Sequence, residues 1–211
     1  NVLSKHMVHN FSRYLEEMQK MGYNSNFEVL NAIDFGLPQR RERVFTISIL
    51  DGEFFNFSTL EKRQAPHIKE FLEDTKEEKY IVTQPSMLKK INSKGSMGLN
   101  IITDYCTTIT TKQMRCPNSG VIDLGNGQYR YLTERECWRL QGYSDEDFEA
   151  ALKAHPGIPG KLNGALYKQA GNSVVVPVIN RLAKNIMEAL KKTDNGIHGG
   201  ENEKDYKLFT I

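Results

Sequence analysis

Arg40, Arg41 and Arg43 stand within four positions of one another, flanked by Gln39 and Glu42. Guanidinium offers a fixed fork of donors suited to phosphate or to the edge of a base. Pro38 stiffens the entry to this segment, and in an extended chain Gln39, Arg41 and Arg43 share one side. A solvated basic turn is the competing reading. A second cluster is Gln169-Ala170-Gly171-Asn172-Ser173, followed by Val174 and Pro177. A Gly-Asn-Ser turn exposes backbone N–H groups and short polar side chains, which can receive a carboxylate or similar anion. Taken alone, a plain turn capped by Asn or Ser is the commoner case. Between these clusters lies a third. Residues 86–115 carry Lys89, Lys90, Lys94, Lys112 and Arg115 against Asp104 alone, with Thr107, Thr108, Thr110 and Thr111 interleaved. Hydroxyls and cations on loops suit DNA backbone and base-edge contacts, and a Thr-rich strand is an equal reading. Arg130, Arg135 and Arg139 form a fourth set, able to hold phosphate or to tie a helix to its neighbour.

Cysteine chemistry is weakly indicated. Cys106, Cys116 and Cys137 are odd in number and lack metal-ligand spacing, so neither a disulfide framework nor a metal site is expected. Cys116 has Arg115 beside it but no base, and reads as a loop cysteine. The formal net charge of +2 does not by itself announce a nucleic-acid binder, although charge can be local. No apolar run is long enough to span a bilayer, the first ten residues are not a signal peptide, and a reducing, cytoplasmic setting is expected.

The elements that must position these residues are partly legible. Met7, Phe11, Tyr14, Leu15, Met18 and Met21 recur at helical spacing and stop at Gly22. Residues 27–32 and 44–50 read as strands around the arginine segment, closed by Asp51-Gly52. Ile68, Phe71 and Leu72 suggest a short surface helix, residues 80–82 a strand, and 83–130 short strands and long loops. Thr133 and Glu136 form a capping box that starts a helix, and Ser144 with Asp147 starts another through Leu152. Residues 155–164 are a Pro/Gly-rich loop. Pro177 opens a helix with Ile179, Leu182, Ile186 and Leu190 on one face. From Thr193 the chain is polar, and order is not expected there.

The order of these motifs is more specific than any one of them. Asn31 through Val44 resembles the Gln-x-Arg-x-Arg block of the cytosine-5 DNA methyltransferase family. Arg130-Tyr131-Leu132-Thr133 to Glu136, with Arg139-Leu140-Gln141-Gly142-Tyr143, is similar to that family's next block, and Tyr167 through Pro177 to its last. Residues 51–129 then occupy the place of the target-recognition domain, whose frequent Thr-rich stretch Thr107 to Thr110 resembles. The family's Phe-x-Gly-x-Gly turn, Pro-Cys-Gln nucleophile loop and Glu-Asn-Val block belong upstream, and Asn1-Val2-Leu3 looks like the tail of the last of these. The resemblance therefore implies the C-terminal part of such an enzyme, with no catalytic cysteine. Cys116-Pro117 reverses the Pro-Cys order and cannot replace it.

By this resemblance, the complete enzyme flips a cytosine out of double-stranded DNA, adds a cysteine thiolate to ring carbon 6, and transfers a methyl group from S-adenosylmethionine to carbon 5. Arg43 would contact the flipped base, Arg41 would support the base site or its phosphates, and Gln39 would shape the loop. Asn172, Ser173 and Val174 would approach the cofactor. The implied fold class is mixed α/β: the later portion of a Rossmann-like S-adenosylmethionine-dependent domain plus a small, mostly β recognition domain. Its parts would be a partial catalytic domain at 1–50, recognition at 51–129, a recognition-domain helix and return to the catalytic domain at 130–192, and a polar tail at 193–211. Such a chain should expose apolar surface toward the missing N-terminal part, held in cis or in trans. No metal and no membrane is implied. The competing readings are the recognition subunit of a split methyltransferase, a non-enzymatic DNA-binding regulator using residues 133–152 as a helix-turn-helix, and a family member acting on transfer RNA.

Overall fold

The computed structural model describes residues 2–91, 93, 99–115, 117–194 and 209–210, with side chains to Ala189. Lys94, Cys116, the side chain of Leu190 and most of the polar tail lie outside these described residues. The elements in chain order are α1 (Val8–Lys20), β1 (Tyr23–Asn31), β2 (Gln39–Arg40), β3 (Glu42–Leu50), α2 (Pro85–Ile91), β4 (Cys106–Thr107), β5 (Ile122–Gly125), β6 (Gln128–Arg130), α3 (Glu134–Arg139), α4 (Asp145–Ala154), α5 (Gly164–Asn172), α6 (Val176–Asp194) and β7 (Phe209–Thr210). They gather into two compact units: residues 1–31, 42–61 and 180–211, and residues 32–41 with 62–179.

In the first unit, β1 and β3 form a long antiparallel ladder from Tyr23↔Leu50 to Asn31↔Glu42. Gly22 adopts φ +89 and lets α1 stop and turn into β1, a conformation that costs glycine little. Phe11 of α1 meets Phe27 of β1 edge to face at 5.0 Å. Leu30, Phe45, Ile47, Phe55 and Phe57 are buried, and Asn24 and Asn26 donate to the carbonyls of Gly52 and Phe55. Met7, Val8, Met21, Phe27, Val29 and Leu50 are exposed. β7 adds two residues to the free side of β3, within a tail where no order was expected.

In the second unit, Ile102, Cys106, Ile109, Leu132, Cys137, Leu140, Tyr167 and Ala170 form the main core. Val82, Met87, Ile91, Val121 and Tyr131 form a smaller one. Strand content among the described residues of 51–129 is sparse: β4 pairs in parallel with β2, β5 starts the β5–β6 hairpin, and much of the rest is turns and single bridges. The expected strand at 80–82 is a 3-10 turn, Glu78–Tyr80, followed by one bridge from Ile81 to Arg130. The short helix expected around Ile68, Phe71 and Leu72 is a 3-10 helix, Ile68–Phe71, with Lys69 and Glu70 exposed and Ile68 buried in the core. Helices α2 and α5 stand where loops and a turn were expected.

Two capping boxes fix the helices after β6. Thr133 accepts from the Glu136 N–H while Glu136 accepts from the Thr133 N–H, and Ser144 and Asp147 repeat the arrangement for α4. Among the described residues no helix is long and apolar enough to cross a membrane.

Candidate functional site

The site is built in the second unit around Gln39 and Arg41. Both are buried, while Arg40 between them is exposed. Gln39 donates from Nε2 to the Leu140 carbonyl at 2.8 Å and accepts at Oε1 from the Ile109 N–H at 3.0 Å. Arg41 donates to the carbonyls of Ile109 at 2.8 Å, Ser173 at 2.9 Å and Gly171 at 3.2 Å. Two side chains thus join the arginine segment, the Thr-rich segment, the end of α3 and the end of α5. Period-two alternation brings Gln39 and Arg41 to one side, as expected. That side faces protein carbonyls.

The glycines of the same motifs are required by close approach. A Cβ on Gly171 would sit 2.3 Å from the Thr111 nitrogen and 2.4 Å from the Thr110 carbonyl carbon, both backbone atoms. Gly142 has φ +90, and its Cβ would meet Pro177 at 2.5 Å. The Val176 N–H donates to the Gln141 carbonyl at 2.9 Å, and Gln141 donates to Ala170 at 2.9 Å. The Gly-Asn-Ser motif is therefore the last turn of α5 and its cap, not a free anion-binding turn. Ser173 donates its hydroxyl to Ala170 at 2.8 Å. Asn172 and Val174 are exposed, and the Asn172 side chain has no hydrogen-bond partner among the described residues.

Two of the threonines bond to the main chain. Thr107 donates to the Asn118 carbonyl and Thr108 to that of Arg40 at 3.1 Å. Lys112, Arg115, Lys89 and Lys90 are exposed. The Arg130 set ties helices to neighbours. Arg130 and Glu136, both buried, pair through two 2.8 Å bonds, and Arg130 also reaches the Tyr131 and Glu73 carbonyls. Arg135 binds Glu73 and Glu149, and Arg139 grips Asp145 at 2.6 and 2.7 Å. The Arg139 hydrogen bond holds the Asp145 carboxyl below its usual range.

Arg43 belongs to the first unit, on β3. It is exposed, and its guanidinium donates to the adjacent Glu42 carbonyl at 2.7 Å. On β3 Arg43 is the register partner of Leu30. Cys106 and Cys137 are fully buried, and burial pushes the Cys106 thiol up to about 12 and the Cys137 thiol well above its ordinary value. Neither can be a thiolate near neutrality. Among the described residues no cluster of His, Cys, Asp or Glu could hold a metal ion.

The residues that sequence reasoning missed are main-chain partners: the Ile109, Leu140, Gly171 and Ser173 carbonyls and the Ile109 N–H. The buried spacing of Gln39 and Arg41 was the available signal. Tyr105 was also missed; its ring lies 4.1 Å beneath the Arg40 guanidinium.

The chain is 32% identical over 199 residues to the Type II methyltransferase M2.ScrFI of Lactococcus lactis subsp. cremoris, covering 90% of this chain and 52% of that protein. It is 31% identical over 196 residues to the Type II methyltransferase M.HhaI of Haemophilus parahaemolyticus, covering 82% and 56%. It therefore spans about half the length of these relatives. Its fold is similar to that of the S. pombe Dnmt2 methyltransferase, with a TM-score of 0.67, 20% identity, and coverage of 85% of this chain and 61% of that one. The Entamoeba histolytica methyltransferase EhMeth gives a TM-score of 0.65 at 22% identity, covering 85% and 58%. The profile of the C-5 cytosine-specific DNA methylase family matches residues 1–188, and the chain belongs to that family.

Proposed function

We propose that this chain is the later, DNA-recognising part of a cytosine-5 DNA methyltransferase, and that alone it transfers no methyl group. The observation that carries the reading is the junction at Gln39 and Arg41, where three separated motif blocks meet the Thr-rich segment on shared hydrogen bonds. In that reading residues 51–129 carry target recognition, 1–50 belong to the catalytic domain, and 130–192 are a recognition-domain helix and the return to the catalytic domain.

Arg43 is left exposed to meet the flipped cytosine, where a guanidinium can steady charge on the ring carbonyl oxygen. Arg41 acts as scaffold for the base site rather than as a phosphate contact, because its donors reach three carbonyls. The covalent step needs a thiolate that this chain does not offer. Neither buried cysteine suits it, and none of the three follows a proline.

S-adenosylmethionine supplies the methyl group when bound. The turn after α5 fits a ligand that is part polar and part apolar: Asn172 presents a free amide and Val174 an apolar side chain that is 53% exposed. Ser173 shapes the turn through its carbonyl and hydroxyl. The exposed Val8, Phe27 and Val29 support a missing N-terminal part, in cis or in trans, that covers them. A helix-turn-helix regulator is disfavoured, because α4 presents Glu146, Asp147 and Glu149 to solvent, charges that DNA repels.

Competition binding tests the reading. Labelled duplex DNA bound by the chain should be displaced by unlabelled duplex at far lower concentration than by transfer RNA. Preference for transfer RNA would reassign the substrate, and no binding to either would remove the reading.

A further inference from the structure

Residues 33–38, 62–67 and 104–105 enclose an open cleft of about 620 Å³ in the second unit. Main-chain hydrogen bonds join its walls: Arg63 N–H to Asp34 at 2.8 Å, Cys106 N–H to Pro38 at 2.9 Å, and Ile68 N–H to Asp104 at 3.3 Å. The walls are therefore held before any ligand arrives.

Arg63 lines this cleft and Arg40 stands over a residue that lines it, and neither has a carboxylate partner among the described residues. The Arg40 Cζ lies over the ring of Tyr105, which lines the cleft, at 4.1 Å from the ring centre. The stem of Arg63 lies over Gly36, whose ideal Cβ position is 3.2 Å from the Arg63 Cδ. Gly36 has φ +89 and no side chain, and both features leave room for that stem. Lys62 is a third cation, only loosely opposed by Asp34 at 3.7 Å and largely exposed. His67 Nε2 faces Asp104 at 3.5 Å, while its Nδ1 accepts from the Lys69 N–H. Asp34 and Asp104 thus have cationic or donor neighbours of their own, whereas no carboxylate pairs with Arg40 or Arg63 among the described residues.

We propose that Arg40 and Arg63 grip a backbone phosphate of the DNA in this cleft, a contact outside the 83–129 segment expected to read bases. This rests on the proposed DNA reading. Guanidinium forks suit the oxygens of a phosphodiester, and the packing of Arg63 over Gly36 and of Arg40 over Tyr105 reduces the entropy each loses on binding. A phosphate contact carries no sequence information, so it should act equally on all duplexes.

The test is the salt dependence of duplex binding by the full chain and its Arg63→Ala, Arg40→Ala and Arg63→Lys forms, with circular dichroism to check folding. Each alanine should reduce the slope of log affinity against log salt by about 0.9, by the same amount on two unrelated duplexes. Arg63→Lys should keep the slope, since the charge remains. An unchanged slope in both alanine forms, with duplex binding intact, overturns the cleft assignment. A loss confined to one duplex also overturns it. Failure of the unsubstituted chain to bind any duplex instead removes the DNA reading beneath it. Titration with inorganic phosphate separates the last source: saturation that Arg63→Ala abolishes, without duplex binding, assigns the cleft to a free phosphate and overturns the proposal.

Discussion

Arg41 is a charged side chain used as a bracket. Its donors hold carbonyls from positions 109, 171 and 173, which lie far from it in sequence. Arg41→Ala leaves those acceptors buried and unpaired, at roughly 1–3 kcal/mol each, so thermal or denaturant unfolding should show a loss on the order of 3 kcal/mol or more. Arg41→Lys should lose nearly as much, because one ammonium cannot span the same carbonyls as a fork. A loss under about 0.5 kcal/mol in Arg41→Ala would mean that this bracket is not structural. The sequence made the pair Gln39 and Arg41 legible by spacing. It could not show which way they face, because a period of two marks a side without naming what covers it. Their partners are also backbone atoms, which carry no residue signature.

The buried pair Arg130–Glu136 sits inside the α3 capping box, where Thr133 also donates to Glu73 at 2.5 Å. Thr133→Ala removes the cap and should cost about 1–2 kcal/mol by equilibrium unfolding. Tyr80 donates to Glu134 at 2.6 Å, and burial with that carboxylate raises its pKa far above the ordinary tyrosine value. Tyr131 and Tyr167 are raised chiefly by burial. For a group whose folded pKa is raised, the stabilisation is complete below the unfolded pKa, near 10, and is lost as pH rises beyond it. Stability should therefore fall above about pH 10, with Tyr80 ionising only as the second unit unfolds; Tyr80→Phe should flatten that fall. Ultraviolet titration that shows these tyrosines ionising in the folded protein would contradict the burial argument. Elements with local signals were legible: α1 by periodicity and Gly22, α3 and α4 by capping boxes, the later half of β1 by its apolar run from Phe27, and β3 by β-branched and aromatic content. α5 was missed because Gly171 and Asn172 weaken helix propensity, although Asn163 capping Ala165 and Leu166 was a readable start. α2 was missed in a polar stretch, although Pro85 at its first position was a signal.

At the scale of the molecule, a net charge of +2 hides an uneven surface. Exposed cations at Arg40, Lys62, Arg63, Lys112 and Arg115 contrast with the acidic face of α4. Family and fold class could be read from the order of three motif blocks. The sparse β content of 51–129 could not, because polar and Thr-rich composition suits strands and hydrogen-bonded loops alike. The proposed division of labour, in which this chain recognises DNA and does not supply the nucleophile, has a direct test. The most direct measurement uses a duplex in which 5-fluorocytosine replaces cytosine, incubated with the chain and S-adenosylmethionine and analysed under denaturing conditions. Fluorine at carbon 5 blocks release, so any attacking thiolate would remain attached to the DNA. The account predicts duplex binding in native conditions and no covalent adduct after denaturation. A denaturation-resistant adduct on the pure chain would contradict it and would require a nucleophile within these 211 residues.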